Sequence, residues 1–205
     1  MQVFASGGSV GNPKRSGRRL RRETICWLIP LTPRAWCRVR QGLPRSCQTA
    51  RVIVRLAGEQ DFHGFLGLAA QVECWFGPMT EDLGFHDAVR KHVRRSTAIV
   101  AVASGPDLLG GLLFAAKAPT YHVHWLVVSE QARGKGVGRA LMAEAMRRFV
   151  KGPGTLEVVT FGTDHPGASV SGARVFYERL GFTPAEAVDP GPEGGSRQVF
   201  RLAVT

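Results

Sequence analysis

Trp125-Leu126-Val127-Val128 leads, three residues on, into Gln131-Ala132-Arg133-Gly134-Lys135-Gly136-Val137-Gly138-Arg139-Ala140-Leu141-Met142. An apolar strand therefore runs into a glycine-rich turn that opens a helix. Glycines at alternate positions let the backbone curl with its N–H groups converging on one concavity, and a helix N-terminus adds partial positive charge there. A phosphate or pyrophosphate fits such a turn. The spacing excludes two familiar phosphate loops. Walker A needs Lys-Ser or Lys-Thr after its last glycine, but Gly138 is followed by Arg139 and Ala140; the dinucleotide fingerprint needs Gly-x-Gly-x-x-Gly, whereas Gly134, Gly136 and Gly138 are evenly spaced. Taken alone, the run also reads as a basic surface turn capping an ordinary helix.

A second block, Ala173-Arg174-Val175-Phe176-Tyr177-Glu178-Arg179-Leu180-Gly181-Phe182, lies one expected strand further on. Together the blocks resemble the GNAT superfamily of N-acetyltransferases. Arg133 to Gly138 matches that superfamily's Arg/Gln-x-x-Gly-x-Gly/Ala pyrophosphate loop, and Ala173 to Phe182 matches its Ala-x-x-Phe-Tyr-x-x-x-Gly-Phe segment. The resemblance spans residues 50 to 205. It implies a mixed α/β fold: a central, mostly antiparallel sheet of six to seven strands with flanking helices.

The implied chemistry is transfer of an acetyl group from acetyl-CoA, the cosubstrate, to a primary amine of a small molecule or protein, by direct attack in a ternary complex. The amine must lose a proton, the oxyanion needs a donor, and the departing thiolate needs an acid. The family pattern places Tyr177 beside the sulfur, which makes its phenol the candidate acid. For the base, many members carry Glu at the position matching His124, and imidazole titrates near neutrality. Strand alternation puts His122, His124 and Leu126 on one face and Tyr121, Val123, Trp125 and Val127 on the other, so His122 is the second choice. The same histidines also read as polar residues satisfied within a cleft. A metal site at His122 and His124 lacks a third ligand, and no metal is expected.

Cofactor contacts carry over in the same way. The backbone of Leu126, Val127 and Val128 would pair with the pantetheine arm like an added strand. Arg133, Gly134, Lys135, Gly136, Val137, Gly138, Arg139 and Ala140 would hold the pyrophosphate. Ser171, Ala173 and Phe176 complete the set. Many members have Asn where this chain has Val170, so contacts in the loop from Asp164 to Gly172 stay open, with Ser169 or Ser171 as alternatives. The acceptor pocket would lie near Glu73 to Phe85 and Asp189 to Ser196, where Glu73, Glu81, Asp82 and Trp75 could receive a cationic amine or be ordinary surface groups.

The 205 residues carry a net charge of +11. Residues 1–48 hold ten Lys or Arg against Glu23 alone, giving +9 and leaving +2 for the rest. A nearly neutral domain, residues 49–205, thus follows a basic extension, residues 1–48, that reads as disordered or artefactual, as a basic tail or, last, as an export signal. Its Thr24 to Leu31 stretch is short and interrupted by Pro30. The charge distribution argues against nucleic acid as the partner, leaving acetyl-CoA and an amine. A homodimer is compatible with the family, and no membrane association is expected. Cys26, Cys37 and Cys47 lie in the extension, and Cys74 alone lies in the domain, with no Cys-x-x-Cys. That usage suits a cytoplasmic protein, and Cys74 beside Trp75 and Phe76 reads as a buried or semi-buried small hydrophobe.

Along the domain, periodicity predicts strands at 51–56, 97–103, 108–116, 121–128, 155–161 and 197–204. It predicts helices at 59–72, at 172–180, from the glycine-rich turn to Gly152, and around Phe85 to Val93. The first helix would bury Phe62, Phe65, Leu66, Ala69 and Val72. Three functions remain open: an acetyl-CoA-dependent N-acetyltransferase, a non-catalytic acetyl-CoA-binding regulatory member, and a nucleic-acid-binding protein using its basic tail.

Overall fold

The computed structural model describes residues 52–103, 105, 107–191 and 194–205. The expected N-terminal extension, residues 1–48, lies outside the described residues.

The central element is a seven-stranded sheet. Its strands are β1 (Ile53–Leu56), β2 (Ala98–Val102), β3 (Leu108–Ala115), β4 (Thr120–Val128), β5 (Gly154–Phe161), β6 (Thr183–Val188) and β7 (Arg197–Val204), in the spatial order β1-β2-β3-β4-β5-β7-β6. All neighbours run antiparallel except β4 and β5, which are parallel. The helices are α1 (Phe62–Ala70), α2 (Glu73–Phe76), α3 (Leu83–Arg94), α4 (Val137–Phe149), α5 (Pro166–Ser171) and α6 (Ala173–Arg179). This is the mixed α/β architecture expected from the sequence.

Helices cover both faces of the sheet, and β2 and β3 are apolar throughout. On β2, Ala98 and Val100 join the core beneath α1 and α3, which includes Phe65, Leu68, Phe85 and Val89. Ile99 and Ala101 join the opposite core around Leu141, Met142 and Tyr177 of α4 and α6. Strands buried on both faces read as continuous hydrophobic runs, as Ala98-Ile99-Val100-Ala101-Val102 does. Gly110 and Gly111 of β3 let helices approach from both sides. A Cβ on Gly111 would lie 2.7 Å from Phe65, and one on Gly110 would lie 3.0 Å from Leu141.

Three elements depart from the sequence reading. The first helix is split by Gln71, and α2 follows as a single turn; α1 buries Phe65, Leu68 and Ala69, with Phe62 and Leu66 partly buried against the same core. The stretch before α6 contains α5, whose start is capped by His165 Nδ1 accepting from Gly167 N at 2.8 Å. β6 was not foreseen, because Pro184 and Glu186 break any apolar alternation. As an edge strand exposed along most of its length, it needs none.

Gly111→Ala is expected to destabilise the fold by about 1–3 kcal/mol, since the new methyl overpacks the fully buried Phe65 ring. Gly67, helical and exposed with open space at its Cβ position, should behave oppositely: Gly67→Ala is expected to stabilise by about 0.5–1 kcal/mol. Denaturant midpoints of the two variants would check this, and shifts of the same sign would contradict the packing described.

Candidate active site

The site begins where a sheet ladder stops. β4 and β5 pair only over Thr120–Val123 and Leu156–Val158 with Thr155; beyond Val123 and Val158 the strands part. β5 continues beside β7 to Phe161. The stretch from Leu126 to Val128 therefore faces a gap instead of a neighbouring strand, and it lines a cleft of about 580 Å³.

The glycine-rich turn closes one end of that cleft. Gly134 and Gly136 have φ of +73° and +82°, values that favour glycine. Gly136 is the N-cap of α4 and supplies no side-chain cap; the first main-chain bond of the helix is from Ala140 N to the Gly136 carbonyl. The N–H groups of the first turn are left to face an anion, with the helix dipole behind them. Gly138 has a packing role as well. A Cβ there would sit 3.0 Å from the Phe176 ring, so glycine sets the close approach of α4 and α6.

α6 carries Tyr177 to the opposite wall. Arg174 Nη1 donates to the Phe161 carbonyl at 2.9 Å and to Gln198 Oε1 at 2.8 Å, tying α6 to the end of β5. Tyr177 is 5% exposed, packs against Phe176, Phe182 and Phe200, and borders the cleft. Burial pushes its phenol well above the usual tyrosine range, so it stays protonated.

Of the residues anticipated from the sequence, Leu126, Val127, Val128, Arg133, Gly134, Gly136, Val137, Gly138, Arg139, Ser171, Ala173, Phe176 and Tyr177 all line this one cleft. Lys135, Ala140, His122 and His124 do not. Val170 points outward, 71% exposed, while the Ser171 hydroxyl accepts from Ala173 N at 3.2 Å beside the cleft. The wall formed by Val72, Trp75, Phe76 and Phe161 went largely unread, because α2 is a single turn without periodicity.

Residues 94–184 match the family model for the acetyltransferase (GNAT) domain. Over that span the chain is similar to the acetyltransferase (GNAT) domain. No curated protein sequence matches the chain. Solved structures do. One, from Desulfovibrio desulfuricans and described as an acetyltransferase of the GNAT family, is 24% identical with a TM-score of 0.60, covering 76% of this chain and 100% of that one. The PaiA N-acetyltransferase of Thermoplasma acidophilum, in complex with coenzyme A, is 16% identical with a TM-score of 0.57, covering 75% and 99%. A Salmonella typhimurium protein solved with acetyl-CoA is 15% identical with a TM-score of 0.56, covering 75% and 94%. At these identities the likeness establishes the fold.

Within this fold, the two β4 histidines depart from simple alternation. Leu113 pairs with Trp125 and Phe114 with Val123, so the register of β3 skips His124 and the ladder bulges there. The bulge reverses the faces. Tyr121, Val123 and Leu126 pack toward α4, whereas Trp125 and Val127 pack toward α1 and α3. His124 thus leaves the face of Leu126 and meets α3, its Nδ1 lying 3.2 Å from His92 Nε2; the His122 ring is 6.2 Å away, and His122 Nδ1 is 3.6 Å from Glu157. Burial and the neighbouring His122 lower the pKa of His124. Burial and His124 bring His92 down to about 4, with Lys91 and Arg95 adding to the effect. Among the described residues, no group of three or more His, Cys, Asp or Glu is arranged to hold a metal ion.

Of the three acids anticipated for an amine, Glu73 and Asp82 are engaged elsewhere, and Glu81 is exposed outside the cleft lining. Glu73 Oε1 accepts from Met79 N, Thr80 N and Thr80 Oγ1, each at 2.7 Å, which holds its pKa down and fixes the turn after α2. Asp82 caps α3 by accepting from Gly84 N at 2.9 Å. Cys74, expected to be buried or semi-buried, is exposed: it faces out from the single turn of α2, while Val72 just before that turn is buried.

His92 titrates at about 4 folded against an ordinary 6.5, so its neutral form favours the fold. That contribution is complete above pH 6.5 and is lost as pH falls toward 4. Between pH 7 and 4, wild type is expected to lose roughly 1–2 kcal/mol more than His92→Gln after solvent screening. Urea denaturation at both pH values checks this, and equal losses would contradict the burial argument.

Proposed function

We propose that the protein transfers an acetyl group from acetyl-CoA to a primary amine within the cleft between β4 and β5. The observation that carries this reading is the convergence on one cleft of three features: an unpaired strand edge at Leu126 to Val128, an uncapped helix N-terminus at Gly136, and a buried phenol at Tyr177. An extended pantetheine arm would use the first as an added strand and the pyrophosphate the second. The bound coenzyme A and acetyl-CoA of the Thermoplasma and Salmonella structures support the same occupant here. When bound, acetyl-CoA supplies the thioester that the amine attacks.

The residues then divide the work. The amine nitrogen attacks the thioester carbonyl, the carbon–sulfur bond breaks, and the Tyr177 phenol gives its proton to the departing thiolate. Because burial holds the phenol in its protonated form, the acid is ready at neutral pH. His124 is the base we favour for the amine proton, with His122 behind it. Both stand back from the cleft lining, so that proton travels through water, and the lowered pKa keeps His124 neutral and able to accept it. We read residues 49–205 as the catalytic domain and residues 1–48 as an appendage with no part in the chemistry.

The test is release of free thiol from acetyl-CoA in the presence of an amine. Tyr177→Phe is expected to lower kcat by roughly 100-fold or more while acetyl-CoA binding persists. His124→Ala should cost less, roughly tenfold, and should erase an acidic limb that lies below the ordinary imidazole pKa in the wild-type pH profile. Turnover insensitive to both substitutions would sink this assignment of roles.

A further inference from the structure

We propose that the acceptor is a monoamine with an apolar, ring-bearing body, and that polycationic amines are rejected. The inference rests on the acetyl-transfer reading and names its substrate class. Its first support is the wall facing the phosphate-binding turn. Phe76 of α2 stacks on Phe161 at the end of β5, with centroids 4.8 Å apart and planes 13° apart, and Phe161 stacks in turn on His165 at 4.4 Å. Val72 and Trp75 extend this wall, and Trp75 and Phe76 are both half-buried where they meet the cleft. A flat apolar group can continue such a stack, and aromatic pairs gain beyond the area they bury.

Charge is the second support. The ionisable side chains lining the cleft, Tyr177 aside, are Arg133, Arg139 and Arg179, and no carboxylate joins them among the described residues. Of the acids near the wall in sequence, Glu73 is committed to the turn after α2, Asp82 to the start of α3 and Asp164 to Ser196, while Glu81 is exposed and outside the cleft lining. The aromatic face most suited to a cation is taken as well: the Arg133 guanidinium lies 5.3 Å from the Trp75 ring centre. With the pyrophosphate of acetyl-CoA matched to the arginines of the turn, a second ammonium on the acceptor would be desolvated with no carboxylate of the cleft to receive it. An amine that carries one nitrogen to the thioester and loses its proton there meets no such penalty.

The experiment uses the full chain at saturating acetyl-CoA, compares 2-phenylethylamine and tryptamine with putrescine and spermidine, and reads free thiol. Acetyl-CoA binding is measured in parallel by calorimetry. The aryl amines are expected to show kcat/KM at least about tenfold above the polyamines, and Phe76→Ala should remove about tenfold of that through KM. The acetyl-CoA Kd should stay within about twofold of wild type, separating a lost acceptor contact from a damaged cofactor site. Phe76→Leu keeps the bulk without the ring and is expected to lose the same selectivity while folding normally. Spermidine turned over as well as the aryl amines would overturn the proposal, as would unchanged selectivity in Phe76→Leu. Acetyl-CoA binding with turnover of none of the four amines would also overturn it. Failure to bind acetyl-CoA at all would instead bring down the acetyl-transfer reading beneath it.

Discussion

The parting of β4 from β5 is the constraint on which the rest of the molecule depends. A parallel pair that separates after Val123 and Val158 leaves main-chain groups in the middle of a sheet without a neighbouring strand. Such groups are costly to leave dry and unpaired. The separation is also what creates room for a ligand. Each surrounding element answers to it: α4 starts at one end of the opening, α6 is tied across the other by Arg174, and the α2 turn lies against its rim. The bulge at His124 belongs to the same region, reversing the faces of β4 just before the strand runs along the gap.

The glycine spacing of the turn after β4 has two physical origins. Gly134 and Gly136 supply positive φ, whereas Gly138 supplies the close approach of two helices. Sequence alone shows three equivalent glycines, and only the packing of Phe176 separates the roles. The second block has a similar division. Tyr177 faces the cleft, and Arg174 holds the helix to β5 and β7.

Much of this is legible in the sequence. The sheet strands of the middle and far edge follow from apolar runs, and the phosphate turn and Tyr177 follow from two short segments whose residues do line one cleft. What was not legible has identifiable causes. β6 is an exposed edge strand interrupted by Pro184, so it carries no hydrophobic signature. α2 is too short for periodicity. The placement of His124 required knowing that β3 skips it, because one bulged residue inverts every alternation argument after it. The acids near α2 looked like ligands for an amine, since a sequence does not show which carboxylates are already hydrogen-bonded to their own backbone.

The central claim is that acetyl-CoA occupies the opening between β4 and β5. Amide resonances followed during titration of the full chain with acetyl-CoA test it most directly. The account predicts that the largest shifts fall on residues 126–128 and 133–139, with the glycine amides of the turn moving in a saturable way. Saturable shifts confined to other surfaces, or none at millimolar acetyl-CoA, would contradict it.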